Sequence, residues 1–388
     1  MAKWTVQHKY KDTVLDTFKP LNLNFTLVID EADDISYDIS LAEPTMRWTL
    51  VGAKRTDYYL YRDGQLITAG FHSYTGSTKG SELLNIQGKS WLWYLQNRHY
   101  PFNPSHATDF LGGTATEKMG LGYQNFATPG KIITDIMTKT LSRPNSLGIT
   151  GYSSLPAAGP KMGFSIPLGD TESIYDKIKQ LSDMTTSGEG DDGGFNFDVL
   201  ANKQFKMWVP SRFPNAARSS PSGCIYNFNQ HTHTVPTDMV TAEFQNNGPD
   251  FTHLFAEGAG TSEKYRGYAL SPDDETQEIF RRWDGNISFS DVKDPKRLMT
   301  LAQMHLSAGL YPQISVPLTV KPDNIPGFWT KFQPGEAVWI DLDMGGRRID
   351  GGYKINQMRC TVDAEGNETV DLDTQSIMPL GRPGMIEG

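Results

Sequence analysis

From Leu21 to Ile29 the chain alternates without a break, with Leu21, Leu23, Phe25, Leu27 and Ile29 separated by Asn22, Asn24, Thr26 and Val28. Only an extended strand sends every second side chain to the same face, so this segment must lie in a sheet with one face on a core. Its neighbours continue the pattern. Arg47 to Val51 reads as another strand, and Thr56 to Tyr61 and Gln65 to Thr68 flank Arg62-Asp63-Gly64, whose Asp-Gly pair is a strong hairpin signal. Ser81 to Gln87 gives a further strand, after which Ser90 is placed to cap a short helix through Trp91, Trp93 and Leu95. A first, mostly β region therefore ends near Tyr100.

The residues that follow change character. Thr128-Pro129 predicts a helix start before Ile132, Ile133, Ile136, Met137 and Leu141, which share one helical face. A second helix is expected from Asp170-Thr171 through Ile174, Ile178 and Leu181, ending in the acidic, glycine-rich turn Ser187 to Gly194. Strands at Phe195 to Leu200 and Gln204 to Val209 are joined by Ala201-Asn202-Lys203. From about Val240 the β signals return. Phe251 to Ala256 reads as a strand, and Asp294-Pro295 opens a helix whose apolar face includes Leu298, Ala302 and Leu306. Pro312 to Val320, Ala337 to Leu342, Tyr353 to Val362 and Thr369 to Leu372 complete a sheet, with turns at Gln333-Pro334-Gly335 and Ala364-Glu365-Gly366. The 37 Gly, 23 Pro and 11% aromatic residues suit such a turn-rich, strand-rich chain.

Charge and cysteine usage narrow the function. The net charge of -9 argues against a general phosphate-binding surface and against specific nucleic-acid binding. Cys224 and Cys360 are too few and too far apart for a disulfide framework or a four-thiolate zinc site, and are expected as free thiols. No apolar run reaches the length of roughly 18 residues that a membrane helix requires, and the N-terminus shows no signal-peptide pattern, so synthesis in the cytoplasm and no membrane partner are expected.

Each candidate for chemistry has a plainer reading that fits better. His231 and His233 offer two imidazoles two positions apart, which needs further ligands from elsewhere to make a metal site, and read as part of a polar loop. Glu189, Asp191 and Asp192 lack the spacing of an EF-hand loop and read as a solvated turn. Asp273, Asp274 and Glu275, near Arg281 and Arg282, are clustered along one stretch, whereas glycoside hydrolysis needs two acids facing each other across a cleft. Trp91, Trp93 and Tyr94, or Tyr58, Tyr59 and Tyr61, could stack on sugar rings but read as core or interface. No nucleotide, zincin or serine-hydrolase motif is present. Catalytic, cofactor-binding and metal-binding residues are accordingly expected to be none.

The order of elements resembles the phage tail-hub proteins, which include baseplate hubs and the minor tail proteins of actinobacterial siphophages. The resemblance rests on the Tyr59-Leu-Tyr-Arg-Asp-Gly-Gln-Leu-Ile67 hairpin, Trp48-Thr-Leu50, Leu83-Leu-Asn-Ile-Gln-Gly88 leading into Trp91-Leu-Trp93, and the Asp294 to Ala308 helix. It also rests on Ile314 to Val320, Phe332-Gln-Pro-Gly-Glu-Ala-Val-Trp-Ile-Asp341 and Tyr353-Lys-Ile-Asn-Gln357. It implies a mainly β (α+β) protein with two related β-barrels, at 1–100 and 240–378, an inserted α+β domain at 101–239 and a tail at 379–388. It further implies a non-enzymatic virion protein at the tail tip: a homotrimer forming a pseudo-six-fold ring that adapts six-fold tail symmetry to three-fold tip proteins. Its partners would be a distal tail protein or the tail tube, a tip fibre, spike or other minor tail protein, and possibly the tape-measure protein. A glycan-binding or cell-wall-degrading tail component is the alternative.

Overall fold

The computed structural model describes residues 2–11, 13–42, 54–78, 80–100, 121–142, 146–159, 161–167, 172–185, 195–208, 223–229, 239–247, 250–258, 266–270, 282–289, 295, 298–299, 302–303, 306, 313–343, 348–363 and 365–376. The chain is mainly β, built around one large sheet with a few helices set against it.

Seven strands form the first part: β1 (Trp4–Tyr10), β2 (Thr13–Phe18), β3 (Leu21–Val28), β4 (Asp34–Ser40), β5 (Asp57–Arg62), β6 (Gln65–Gly76) and β7 (Leu83–Ser90). They pair in the order β2-β1-β5-β6-β7-β4-β3. The alternation around Leu23 and Phe25 has the expected consequence, since both are buried while Asn22 and Asn24 are exposed. At the β5–β6 turn both Asp63 (φ 50°) and Gly64 (φ 84°) are left-handed, as a two-residue type I′ hairpin requires. The sheet rolls up. β1 and β4 are four strands apart on the path, roughly 19 Å if the sheet were flat, yet His8 Nε2 on β1 lies 2.7 Å from the Tyr37 hydroxyl on β4. Phe18 on the edge strand β2 also meets Tyr37 across the interior, with ring centroids 6.1 Å apart. The pattern of inward apolar residues therefore fills a roll, although no strand pair among the described residues closes it.

Ser90 does not cap a helix, contrary to the sequence expectation. It ends β7 and its Oγ accepts the Asp33 amide at 2.9 Å, so Trp91 takes the cap position of α1 (Leu92–Gln96). The second part holds β8 (Leu121–Ala127), α2 (Pro129–Leu141), β9 (Met162–Pro167), α3 (Ile174–Thr185), β10 (Asn196–Val199) and β11 (Phe205–Trp208). α2 begins where Thr128-Pro129 predicts. α3 begins later than expected, after Ser173, because Ser173 and Asp176 cap each other: the Ser173 Oγ accepts the Asp176 amide and the Asp176 carboxylate accepts the Ser173 amide. The inward faces of both helices share one core with Trp91, Leu92 and Leu95 of α1.

β12 (Tyr226–Asn229), β13 (Met239–Ala242) and β14 (Gln245–Asn247) then join the large sheet. β15 (His253–Glu257), β16 (Arg266–Leu270) and β17 (Asp284–Ser288) form a small separate one. Leu254 and Ala256 of β15 pack on Leu298, Ala302 and Leu306, three helical residues spaced four apart, which confirms the helical face read there; the rest of the 294–308 helix lies largely outside the described residues, as does the Arg47 to Val51 strand. The expected strand from Pro312 to Val320 is two strands, β18 (Gln313–Ser315) and β19 (Leu318–Val320), split at Pro317, which has no N–H to give a ladder. A four-residue helix α4 (Phe328–Lys331) precedes β20 (Ala337–Asp343), β21 (Arg348–Val362) and β22 (Glu368–Ser376).

β21 holds the sheet together. Its first half pairs with β20, from Arg348↔Asp343 to Lys354↔Ala337, and the same edge then pairs with β3, from Gln357↔Val28 to Val362↔Leu23. A register shift between Ile355 and Gln357 marks the handover. At the far end of this seam the Glu368 carboxylate, 1% exposed, accepts the Trp4 indole N–H at 2.8 Å, the Trp329 indole N–H at 3.3 Å and the Arg62 Nε at 2.9 Å. Arg62 also reaches Asp323 at 2.7 Å. Burial alone would lower the Arg62 pKa, but the Glu368 bond and the nearby carboxylates outweigh it and hold the guanidinium charged. Removing the buried partner strands two indole donors and leaves Arg62 only its exposed carboxylates, so Glu368→Ala is expected to cost about 3 kcal/mol in urea unfolding, whereas Asp323→Ala, at an exposed carboxylate, should cost under about 1 kcal/mol.

Candidate functional site

Of the residues singled out for chemistry, His231, His233, Glu189, Asp191, Asp192, Asp273, Asp274, Glu275 and Arg281 lie outside the described residues. Arg282 lies on the surface with its Nε 2.8 Å from Asp284. Cys224 and Cys360 are free thiols, the second fully buried, with its pKa pushed up by that burial. Tyr58 is buried in the roll and Tyr61 is half-buried, while buried Trp91 and half-buried Tyr59, Trp93 and Tyr94 are brought together around Phe71. Among the described residues no group of three or more His, Cys, Asp or Glu is placed to hold a metal ion.

A continuous polar surface is formed instead by the outer face of the sheet along β7-β4-β3-β21-β22-β19. Because side chains alternate, each inward apolar residue leaves a polar neighbour outside: Asn22 and Asn24 on β3, Ser36 and Asp38 on β4, Asn85 and Gln87 on β7. These polar groups bond to one another across strands. Asp38 accepts Asn22 and Asn85, each at 2.9 Å, Lys89 pairs with Asp34 at 2.5 Å, and Thr319 donates to Asp371 at 2.7 Å. Between β3, β4 and β21 the face dips into a cleft of about 340 Å³ edged by Glu31, Asp34, Lys89 and Arg359. The face crosses the β3–β21 seam, so both halves of the large sheet contribute to it. Amides, hydroxyls and paired charges hold a hydration layer and present little apolar area, so such a surface resists adhesion.

Inside the first roll sits a second polar group. The Tyr37 hydroxyl bridges His8 Nε2 at 2.7 Å and His72 Nε2 at 3.0 Å, with the imidazoles edge to face at 4.5 Å. A neutral hydroxyl donates one proton and accepts another, so one histidine carries its proton on Nε2 and the other on Nδ1. Both are fully buried: burial, reinforced for His8 by its neighbour, drives its pKa well below the ordinary 6.5, and burial alone lowers His72 to about 3. The cluster is part of the core. As the pH falls below 6.5 the unfolded chain takes up protons that the folded site refuses, so folding stability drops towards acid. Each histidine adds about 1.4 kcal/mol per pH unit to the slope between pH 6 and 5, and His72→Gln is expected to flatten the pH dependence of urea unfolding by that amount.

The second part is fastened to the roll through the turn between β3 and β4. Asp30 has φ 55°, and in that left-handed pose its carboxylate accepts the Phe197 amide at 2.7 Å and the Asn196 side chain at 2.6 Å, while its carbonyl accepts the Tyr175 hydroxyl at 2.8 Å. The Trp91 indole donates to the Ala201 carbonyl at 3.0 Å on the same side. Asp30→Ala removes the carboxylate from two donors and puts alanine, which tolerates the left-handed region less well than Asp, at φ 55°, so a loss of about 2 kcal/mol and faster proteolysis between 172 and 208 are expected, with the β roll unchanged by circular dichroism.

The chain superposes on a tail protein of prophage MuSo2 from Shewanella oneidensis with a TM-score of 0.61 at 11% identity, over 96% of this chain and 98% of that one. A tail protein from Neisseria meningitidis gives 0.56 at 13% identity, over 96% of each chain. The prophage tail protein gp18 from Listeria monocytogenes gives 0.53 at 12% identity, over 96% of this chain and 94% of that one. The chain has the fold of these tail proteins. No family model and no curated protein sequence matches it. Sequence reasoning reached the fold class but missed the polar face and the Asp30 fastening; the Asn22, Asn24 and Thr26 series carried the signal for the first, while nothing local marks the second.

Proposed function

We propose that this chain is a structural component of a phage tail, a tail-tip or baseplate hub that works as a ring. The observation that carries the reading is the likeness to tail proteins over nearly the full length of both chains, at a matching size. The hub role is supported by the large sheet, whose two halves, one from each end of the sequence, share the strand β21. Two related barrel-like units per chain, near 1–100 and 240–378, would let three copies offer six similar surfaces to a six-fold tube and three to a tip fibre or spike. The insert at 101–239 would decorate one side of that ring. In this arrangement the polar outer face lines the central passage, where a non-adhesive surface suits a polymer in transit.

The finer parts belong to the same reading: a homotrimer in the virion, of the siphophage minor-tail type, contacting a distal tail or tube protein above and other tip proteins below, the tape-measure protein among its possible neighbours. Its role is mechanical and not catalytic. Light scattering of the purified chain, followed by low-resolution imaging, is expected to give three copies per particle with six similar lobes. A stable monomer with one roll and a deep groove that retains host-wall polysaccharide would replace the hub reading with a glycan-binding one.

A further inference from the structure

Beside the polar face, where Phe71 on β6 pairs with Lys89 on β7, five rings form one connected group on the outside of the first roll. Trp91 lies 5.9 Å from Tyr59 and 4.9 Å from Phe71, and Phe71 lies 6.4 Å from Trp93 and 6.1 Å from Tyr94, all centroid to centroid. Phe71 joins three of the other rings; Trp91 is buried and the remaining four, Phe71 among them, are half-buried. Four of the rings carry a cation: Lys9 stands 4.0 Å over Tyr59, Lys203 4.6 Å over Trp91, Lys54 5.2 Å over Trp93 and Arg98 5.0 Å over Tyr94. Next to them, Tyr10 is exposed and lies within 5.7 Å of Lys11 and 5.5 Å of Arg55. A carboxylate in contact with the group, Asp57, is buried and 3.8 Å from Lys203.

A ring holds a cation in place without neutralising it, so the fields of Lys9, Lys54 and Arg98 still reach outward, while Asp57 offsets Lys203. This patch is therefore positive on a chain whose net charge is -9. It also combines half-buried Trp and Tyr with Arg, the residue types that dominate the centres of protein interfaces. We propose that this basic aromatic patch is a docking surface for an acidic segment of another protein, one that carries apolar side chains among its carboxylates. The charge balance favours such a partner over nucleic acid. A phosphate backbone leaving the patch would have to run across the acidic remainder of the chain, whereas a compact acidic segment gains the attraction without that cost.

The test is titration of the full chain, at low salt, with a short peptide of Glu and Leu, with its Gln-for-Glu counterpart and with single-stranded DNA of similar length. The acidic peptide is expected to bind, the neutral one to bind much more weakly, and added salt to release the complex. Lys54→Glu/Arg98→Glu should weaken binding by about tenfold, and the milder Lys54→Gln/Arg98→Gln should weaken it less, while Lys321→Glu/Lys331→Glu, with the same change in net charge elsewhere, should leave it unaltered. The proposal is overturned if the acidic peptide does not bind, if DNA binds as tightly, or if the two glutamate variants weaken binding equally.

Discussion

The buried Glu368 carboxylate is the point on which the two ends of this chain meet. It satisfies two indole donors and a guanidinium drawn from β1, β5 and α4, so three elements from opposite ends of the sequence are fixed by one side chain. A carboxylate so buried is tolerable only when its lone pairs are filled, and here the filling partners are the structural elements themselves. Trp4, Trp329 and Phe25 stack around it, with centroids 5.4 to 5.5 Å apart, and shield the ion pair from water on the apolar side. The β3–β21 ladder runs away from this point. Without it the large sheet would part into two halves with two exposed edges; with it there is one continuous face.

That continuity explains the polar surface. Inward positions of β3, β4, β21 and β22 are committed to a shared core that includes Phe25, Tyr37, Cys360 and Leu372. Strict alternation then fixes the chemistry of the other side. The Asp38 and Asp371 hydrogen bonds show that the outer residues are organised too, each carboxylate being held by a neighbouring strand. The Asp30 turn does the same work for the second part of the chain, using a left-handed residue to aim one carboxylate at two donors.

The sequence revealed what depends on short-range pattern. Alternation found β3, Asp63-Gly64 found its hairpin, and Thr128-Pro129 found the start of α2. It failed where distant residues decide. β1 carries the alternation Trp4, Val6, His8, but a histidine in the apolar series hides it until Tyr37 and His72 are seen to satisfy the ring. Ser90 looks like a cap because its real partner, the Asp33 amide, comes from the turn before β4, laid down much earlier. Pro317 splits a strand that alternation alone joins. The handover on β21 was invisible, since pairing with two strands in succession leaves no mark on local composition.

The seam also imposes an order of events in time. Trp4 and Glu368 are 364 positions apart, so the N-terminal roll leaves the ribosome with one edge of β3 unpaired and the Trp4 indole without its acceptor. At roughly 5–20 residues per second, synthesis of the intervening chain takes on the order of 20–70 s. For that interval an open strand edge waits beside an apolar surface, a template for pairing with another nascent copy. The alternating asparagines of β3, polar on the exposed side, keep only one of its two faces sticky during the wait. β21 and β22 thus act as a closing catch, and a chain cut short before β21 would be left with its first half open.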